Sequence, residues 1–583
     1  MPHDPRPEQP APLDEASSPA APGRGGAERG APGRSVVSRR TFLGASVAAT
    51  VVAGVTAQGL GGSGPAHAAA PSAPVVVDPA ALSWLVFDHH VHSVYSHDAK
   101  YPMTTILDRA QRHGVDAIAF TEHSNKGHAN VGGVFNAARE IETARAARPD
   151  LLVLQGLEWY IPGAEHATVL VAPGPATTRV LRRFELDHDG KLNGWEKPRP
   201  GTDDAAEWLV HATDAIAWLG AQKRAGVVDD VIVLANHPSR LGIDSPGELR
   251  AWQDADPEVF VGMEGAPGAQ AGAIAANATD RSRRGEYENA PSEFSFPGYP
   301  AEAYLTHGGF DWTTAVVGGV WDSLLSEGRR WWITSNSDLH LKESDSTRVG
   351  DFPTGPGWEA GATLANFDRA GRRPDPIVTA TPQNGADFWP GEFSRTHVGA
   401  VDRTSAALLD AIRAGRLWVD HGHLVAGLSV VLRAAGGQEA QATLGGTLTV
   451  PRGTALELVV DVVPTTTPTS RGTTPRLAHL DVIRGRVTGR AADRDEQRAP
   501  GTRVVELLDV SDRSATAFRV VVPLEPATED GYVRLRGSDG RVHGVGPLGA
   551  EVDPRAPQPY PVAPADPWAD TWLYANPIFV SVR

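Results

Sequence analysis

His90 and His92 lie two residues apart in Asp88-His89-His90-Val91-His92, at the end of the apolar run Trp84-Leu85-Val86-Phe87. On an extended strand, residues two apart point to the same face, so both imidazoles converge on one place. Asp338 and His340 repeat that spacing in Ser337-Asp338-Leu339-His340, after the apolar run 331–334. Two same-face imidazoles supply half of a tetrahedral metal site, and a bridging carboxylate from Glu158, in Gly156-Leu157-Glu158, could complete it. The chain has 20 histidines and no cysteine. Its strong ligands are therefore imidazole and carboxylate, which leaves Zn, Mn and Fe open. Iron–sulfur clusters, thiolate nucleophiles, disulfides and a bacterial lipoprotein anchor are excluded.

The elements that must position these residues follow one pattern between Val75 and Val425: a short apolar run, then a His, Asp or Glu, then an amphipathic helix. The segment Thr105 to His113 has helical spacing and stops at Gly114; the run 115–120 then reads as a buried strand ending in Thr121-Glu122-His123. Further runs lead to Glu158, to Asn236-His237-Pro238 and to Met263-Glu264. Apolar strands alternating with helices predict a parallel sheet covered on its faces. Ligand-type residues at many strand ends predict a β/α barrel with its chemistry at the C-terminal rim. One such strand end could be a structural histidine, but six in succession are hard to explain that way.

The ordered series H-x-H, T-E-H, G-x-E, N-H-P and S-D-x-H, over residues 84–342, resembles the PHP (polymerase and histidinol phosphatase) family of metal-dependent phosphoesterases. The likeness extends more loosely to 388–396 and 414–419, which look like exported members related to carbamate-hydrolysing proteins. It implies a distorted (β/α)7 barrel and two or three divalent ions. The first would be held by His90, His92, Asp338 and the bridging Glu158, the second by Glu158, His166 and His237, and the third by His97, His123 and His340. Glu158, Asp338 and His340 would be catalytic. Glu122 stands where the family usually has Asp, and Asp98 competes with His97 for the third ion. Glu264 is placed behind or beside the metals. Arg240 and Arg395 are the expected substrate contacts; Lys126, His128 and Arg348 are further anion contacts or solvated surface.

The chain is 583 residues long, with 54 Lys+Arg against 70 Asp+Glu and a formal charge of −16. That balance argues against a nucleic-acid partner. Residues 1–37 are rich in Pro, Gly, Ala and Arg without a hydrophobic period and read as disordered. Ser38-Arg39-Arg40-Thr41-Phe42-Leu43-Gly44, a mild apolar run and Ala66-His67-Ala68 resemble a twin-arginine signal peptide. The expectation is export by the twin-arginine machinery to the cell envelope or beyond, with no membrane span in the mature protein. Three parts result: a signal region at 1–70, a barrel at 75–425 and an all-β accessory domain at 426–583 with six or seven strands in a sandwich. The expected activity is hydrolysis of a small phosphorylated or ester substrate, as a phosphoesterase. The rivals are carbamate, ester or amide hydrolysis on the same centre, and a non-catalytic surface-binding protein.

Overall fold

The computed structural model describes residues 78–583 apart from 97–98, 100, 125–132, 272–289, 341–347, 350–376, 379–386, 437–439, 470–471, 514 and 541–569. The signal region lies outside the described residues. The described residues form one compact unit.

Eight strands build the part that carries the ligands: β1 (Ser83–Val91), β2 (Ala117–Phe120), β3 (His123–Ser124), β4 (Leu152–Tyr160), β5 (His166–Val171), β6 (Val231–Ala235), β7 (Phe260–Pro267) and β8 (Trp332–Asn336). β1, β2 and β4 run parallel, as do β6, β7 and β8. Helices such as Met103–Arg112 and Pro246–Ala255 cover them. The first buries Met103, Ile106, Leu107 and Ala110, one face of a 3.6-residue period. It stops before Gly114, whose φ of 76° suits glycine. The second starts on Ser245, whose side chain and Glu248 form a reciprocal capping box.

The sheet is mixed rather than uniformly parallel. β5 pairs antiparallel with both β4 and β6. The connection 161–165 is far too short for a helical crossover, so the chain must return as a hairpin. After the two-residue strands β9 (Arg348–Val349) and β10 (Ile377–Val378), which pair with each other, β11 (Ser394–Ala400) lies antiparallel on β1 and β12 (Leu417–His421) antiparallel on β11. A parallel bridge from Val91 to Leu339 brings the end of β8 beside β1.

The rest of the chain is strand-rich: β13 (Val425–Ala434), β14 (Gln441–Thr443), β15 (Thr447–Val450), β16 (Thr454–Pro464), β17 (His479–Arg486), β18 (Arg503–Asp509), β19 (Phe518–Ala527), β20 (Gly531–Ser538) and β21 (Trp572–Val582). One layer, β14-β13-β16-β19, is its own. The other, β18-β17-β20-β21, continues through β12 and β11 into the sheet that carries the ligands. Residues on the two sides of the expected boundary at 425 thus share a sheet. Leu428, Val430, Leu458 and Val460 of the first layer belong to the same apolar core as Leu480, Val533, Leu573 and Trp418. Among the described helices none is long and apolar enough to cross a membrane.

Candidate metal centre

Glu158 lies near the end of β4 with its side chain buried, and imidazoles approach it from β1, β3 and β5 and from the residues just after β1 and β6. His90 Nε2 lies 3.1 Å and His166 Nδ1 2.9 Å from Oε1, with His237 Nε2 at 3.3 Å. His123 Nδ1 lies 2.6 Å and His92 Nε2 3.3 Å from Oε2. Asn236 adds its Nδ2 at 3.1 Å from Oε1. Asp338 sits on the far side of the first pair, its Oδ1 3.1 Å from His90 Nε2 and 3.6 Å from His92 Nε2. His340 stacks on His92 at 4.0 Å between ring centres and places its Nε2 3.1 Å from His123 Nε2.

The local backbone is arranged for this convergence. β1 changes register against β2 between Asp88 and Val91. A bulge of this kind re-aims the side chains that follow it. His89 turns into the sheet interior, where its ring nitrogens meet Thr334 Oγ1 at 2.8 Å and Thr168 Oγ1 at 3.3 Å. Burial pushes its imidazole down to about 3, so it is a neutral structural group. His237 and Asp338 have φ values of 29° and 47°. Non-glycine residues hold such conformations only where their surroundings impose them.

Several carboxylates orient the ligands rather than joining them. Glu264 Oε1 accepts from His90 Nδ1 at 2.6 Å, and its Oε2 accepts from His237 N at 2.7 Å. It thereby fixes the ring of one ligand and the backbone of another. Glu122 does not face the cluster: it accepts from Ser93 N at 3.1 Å, Ser93 Oγ at 2.5 Å and Ser96 Oγ at 2.7 Å. Ser96 in turn contacts His92 Nδ1 at 2.9 Å. The longer Glu in place of Asp at this position is absorbed in holding that turn.

Burial and neighbouring charge favour the unprotonated forms of Glu158, Asp338, His166 and His92, and the protonated form of His90. Burial alone would raise the Glu158 carboxyl, but His166, His90 and His123 hold it well below the usual range. Asp338 is likewise depressed against its burial by His90, His92 and His340. Burial pushes the His166 imidazole down to about 3 and that of His92 to about 4, keeping both available as neutral donors of lone pairs. For His90 burial also works downward, but Asp338, Glu264 and Glu158 outweigh it and raise the group well above its ordinary value.

Three groups of side chains bring ligand atoms close enough to hold an ion: His90 with His92 and Asp338, His123 with Glu158 and His166, and His92 with His123 and His340. A cation explains what hydrogen bonding does not. A carboxylate has about four lone-pair sites, yet five imidazoles and an amide crowd Glu158. The buried Nε2 of His166 has no hydrogen-bond partner among the described residues. The residues present fit divalent ions.

The expected ligands come together with changed partners. His123 stands with Glu158 and His166 as well as with His340, and His92 is shared between two of the groups. His97, Lys126 and His128 lie outside the described residues. Arg240 does not stand alone: its Nη1 lies 3.1 Å from Glu165 Oε2, and Lys197 pairs with the same carboxylate. Arg395 lies 2.8 Å from His423 Nδ1 through Nη1 and 3.6 Å from Asp420 Oδ1 through Nε. Sequence reasoning missed Glu165, Lys197 and the roles of Asn236 and Ser96. Only Glu165 carried a local signal, as the neighbour of His166 at the mouth of the hairpin.

Residues 88–254 match the PHP domain family. This segment is a PHP domain. It holds all but two of the residues of the three ligand groups; Asp338 and His340 come from the chain beyond it. No curated protein matches the chain. Among solved structures, the chain is similar to a two-domain protein from Bacteroides vulgatus containing a predicted PHP-like metal-dependent phosphoesterase. The identity is 14% and the TM-score 0.29, covering 82% of this chain and 96% of that one. It is also similar to an amidohydrolase from Chromobacterium violaceum with bound sulfate and no metal, at 17% identity and TM-score 0.20, covering 44% and 87%.

Proposed function

We propose that this chain is a metal-dependent hydrolase that cleaves a phosphate ester, on a distorted (β/α)7 barrel, after export by the twin-arginine route. The observation that carries the reading is the convergence of five imidazoles on the buried carboxylate of Glu158, with Asp338 alongside. Divalent ions held there supply Lewis-acid activation of water and neutralise charge developing on the substrate. Glu158 with His123 and His166, and Asp338 with His90 and His92, would hold such ions. Glu264 keeps the His90 ring in one tautomer by accepting from Nδ1, which leaves Nε2 as the ligand atom. His340, a fifth of whose side chain is exposed, is a part of the cluster that solvent reaches. Lys197 and Arg240, gathered by Glu165 about 4.0 Å from His237, supply positive charge beside the cluster for an anionic substrate.

The test is a substrate panel on mature protein loaded separately with Zn, Mn and Fe: phosphomonoester, phosphodiester, carboxyl ester and carbamate. The expected result is turnover of a phosphate ester that a chelator abolishes and added metal restores. Turnover confined to the carboxyl ester or carbamate would replace the phosphate reading with its rival. Metal-replete protein inactive on all four would contradict the proposal.

A further inference from the structure

β8 leads to Asp338 and His340 of the metal centre, yet among the described residues its strand partner is β7 alone. Alternate residues of a strand turn their N–H and C=O groups to opposite edges. Ile333, Ser335, Ser337 and Leu339 therefore share one edge, and buried backbone groups need partners. Side chains from three other strands supply most of them. Asn576 Oδ1 accepts from Ile333 N at 2.9 Å, and its Nδ2 donates to Ile333 O at 3.0 Å. Thr396 Oγ1 accepts from Ser335 N at 2.7 Å and donates to Ser335 O at 2.6 Å. Asp88 Oδ2 accepts from Ser337 N at 3.0 Å. The series ends where Leu339 O accepts from His92 N at 3.1 Å.

We propose that Asn576, Thr396 and Asp88 form a side-chain ladder standing in for an absent strand. In it Asn576 and Thr396 are positioning residues for the metal ligands Asp338 and His340. The inference rests on the metal-dependent reading above. Asn576 and Thr396 are fully buried, and each satisfies both the donor and the acceptor of one residue, as a neighbouring strand would. Binding the edge at every second residue fixes the register of β8. A slip of one residue would carry Asp338 and His340, which follow β8, out of their places in the cluster. The ladder also holds the chain just before Asp338, whose left-handed φ of 47° needs external support. Asn576 belongs to the last strand, so the C-terminal region takes part in shaping the metal centre.

The test compares full-length Thr396→Val, Thr396→Ser and Asn576→Leu by titrating the metal-free protein with cobalt(II) and following visible absorbance, with the metal-free unfolding midpoint recorded alongside. Val keeps the shape of Thr and removes both hydrogen bonds, whereas Ser keeps the hydroxyl. Thr396→Val and Asn576→Leu are expected to bind cobalt about tenfold to a hundredfold more weakly, with Thr396→Ser close to the wild type. Wild-type affinity in Thr396→Val, or an equal loss in Ser and Val, would overturn the ladder. If Asn576→Leu does not fold, the Thr396 pair decides alone. A wild type that binds no cobalt sinks the metal-site reading itself. A wild type that binds cobalt but cleaves no phosphate ester leaves the ladder standing.

Discussion

Glu158 is the residue on which the centre depends, because its two oxygens meet ligand atoms from both sides of the cluster. Glu158→Gln keeps the shape and removes the charge that would hold divalent ions there. Activity should fall by orders of magnitude, while the variant and chelator-treated wild type unfold at similar midpoints. The metal-free comparison matters, since bound metal raises stability by mass action. A Gln variant with most of its activity and full metal content would refute the bridging role. Read from sequence alone, Glu264 stood behind or beside the metals and its removal should have mattered much less. Its contacts to His90 Nδ1 and His237 N alter that expectation. Glu264→Gln should weaken metal binding about tenfold to a hundredfold, measured by titration of the metal-free protein.

At the scale of elements, the ligand-bearing strands were legible because each joins an apolar run to a polar end within a few residues. His90 and His92, Glu158, His237 and Asp338 could all be located this way. What was not legible is long-range. Thr396 meets Ser335 across 61 residues and Asn576 meets Ile333 across 243, and neither residue carries a local pattern that announces its partner. The antiparallel return of β5 was missed because a buried strand reads the same in either direction. The join between helix Ser405–Arg413 and the start of β6 is also long-range: Arg413 Nη1 donates to Asp230 Oδ2 at 2.8 Å, and Lys223 lies 2.9 Å from Oδ1. Burial pushes the Asp230 carboxyl up, but Arg413 and Lys223 outweigh it and leave the group below its ordinary value. A carboxyl depressed in the folded state contributes stability above its unfolded value, about 3.9, and loses it as pH falls through the folded one. Asp230→Asn should therefore cost about 1–3 kcal/mol near neutral pH. The gap from wild type should narrow below about pH 4, followed by denaturant titration across pH; a gap independent of pH would contradict it.

Over the whole molecule, the strand-rich region is bound to the ligand-bearing part through buried charge as well as through a shared sheet. Arg534 donates to both oxygens of Asp322, at 2.8 and 2.6 Å, with both side chains fully buried. Arg536 donates to Asp481 Oδ2 at 2.8 Å and to Ala315 O at 3.1 Å. Removing one partner of such a pair strands the other charge, so Arg534→Met should destabilise the protein by about 3–5 kcal/mol in equilibrium unfolding. The export reading makes its own prediction: Arg39→Lys with Arg40→Lys should leave full-length protein inside the cell, and unchanged secretion would refute it. The central claim is that these side chains form a metal centre, and elemental analysis of protein purified without chelator tests it most directly. Three groups of converging ligands predict at least two divalent ions per chain, reduced in Glu158→Gln. Less than one ion per chain after reconstitution with Zn, Mn and Fe would contradict it.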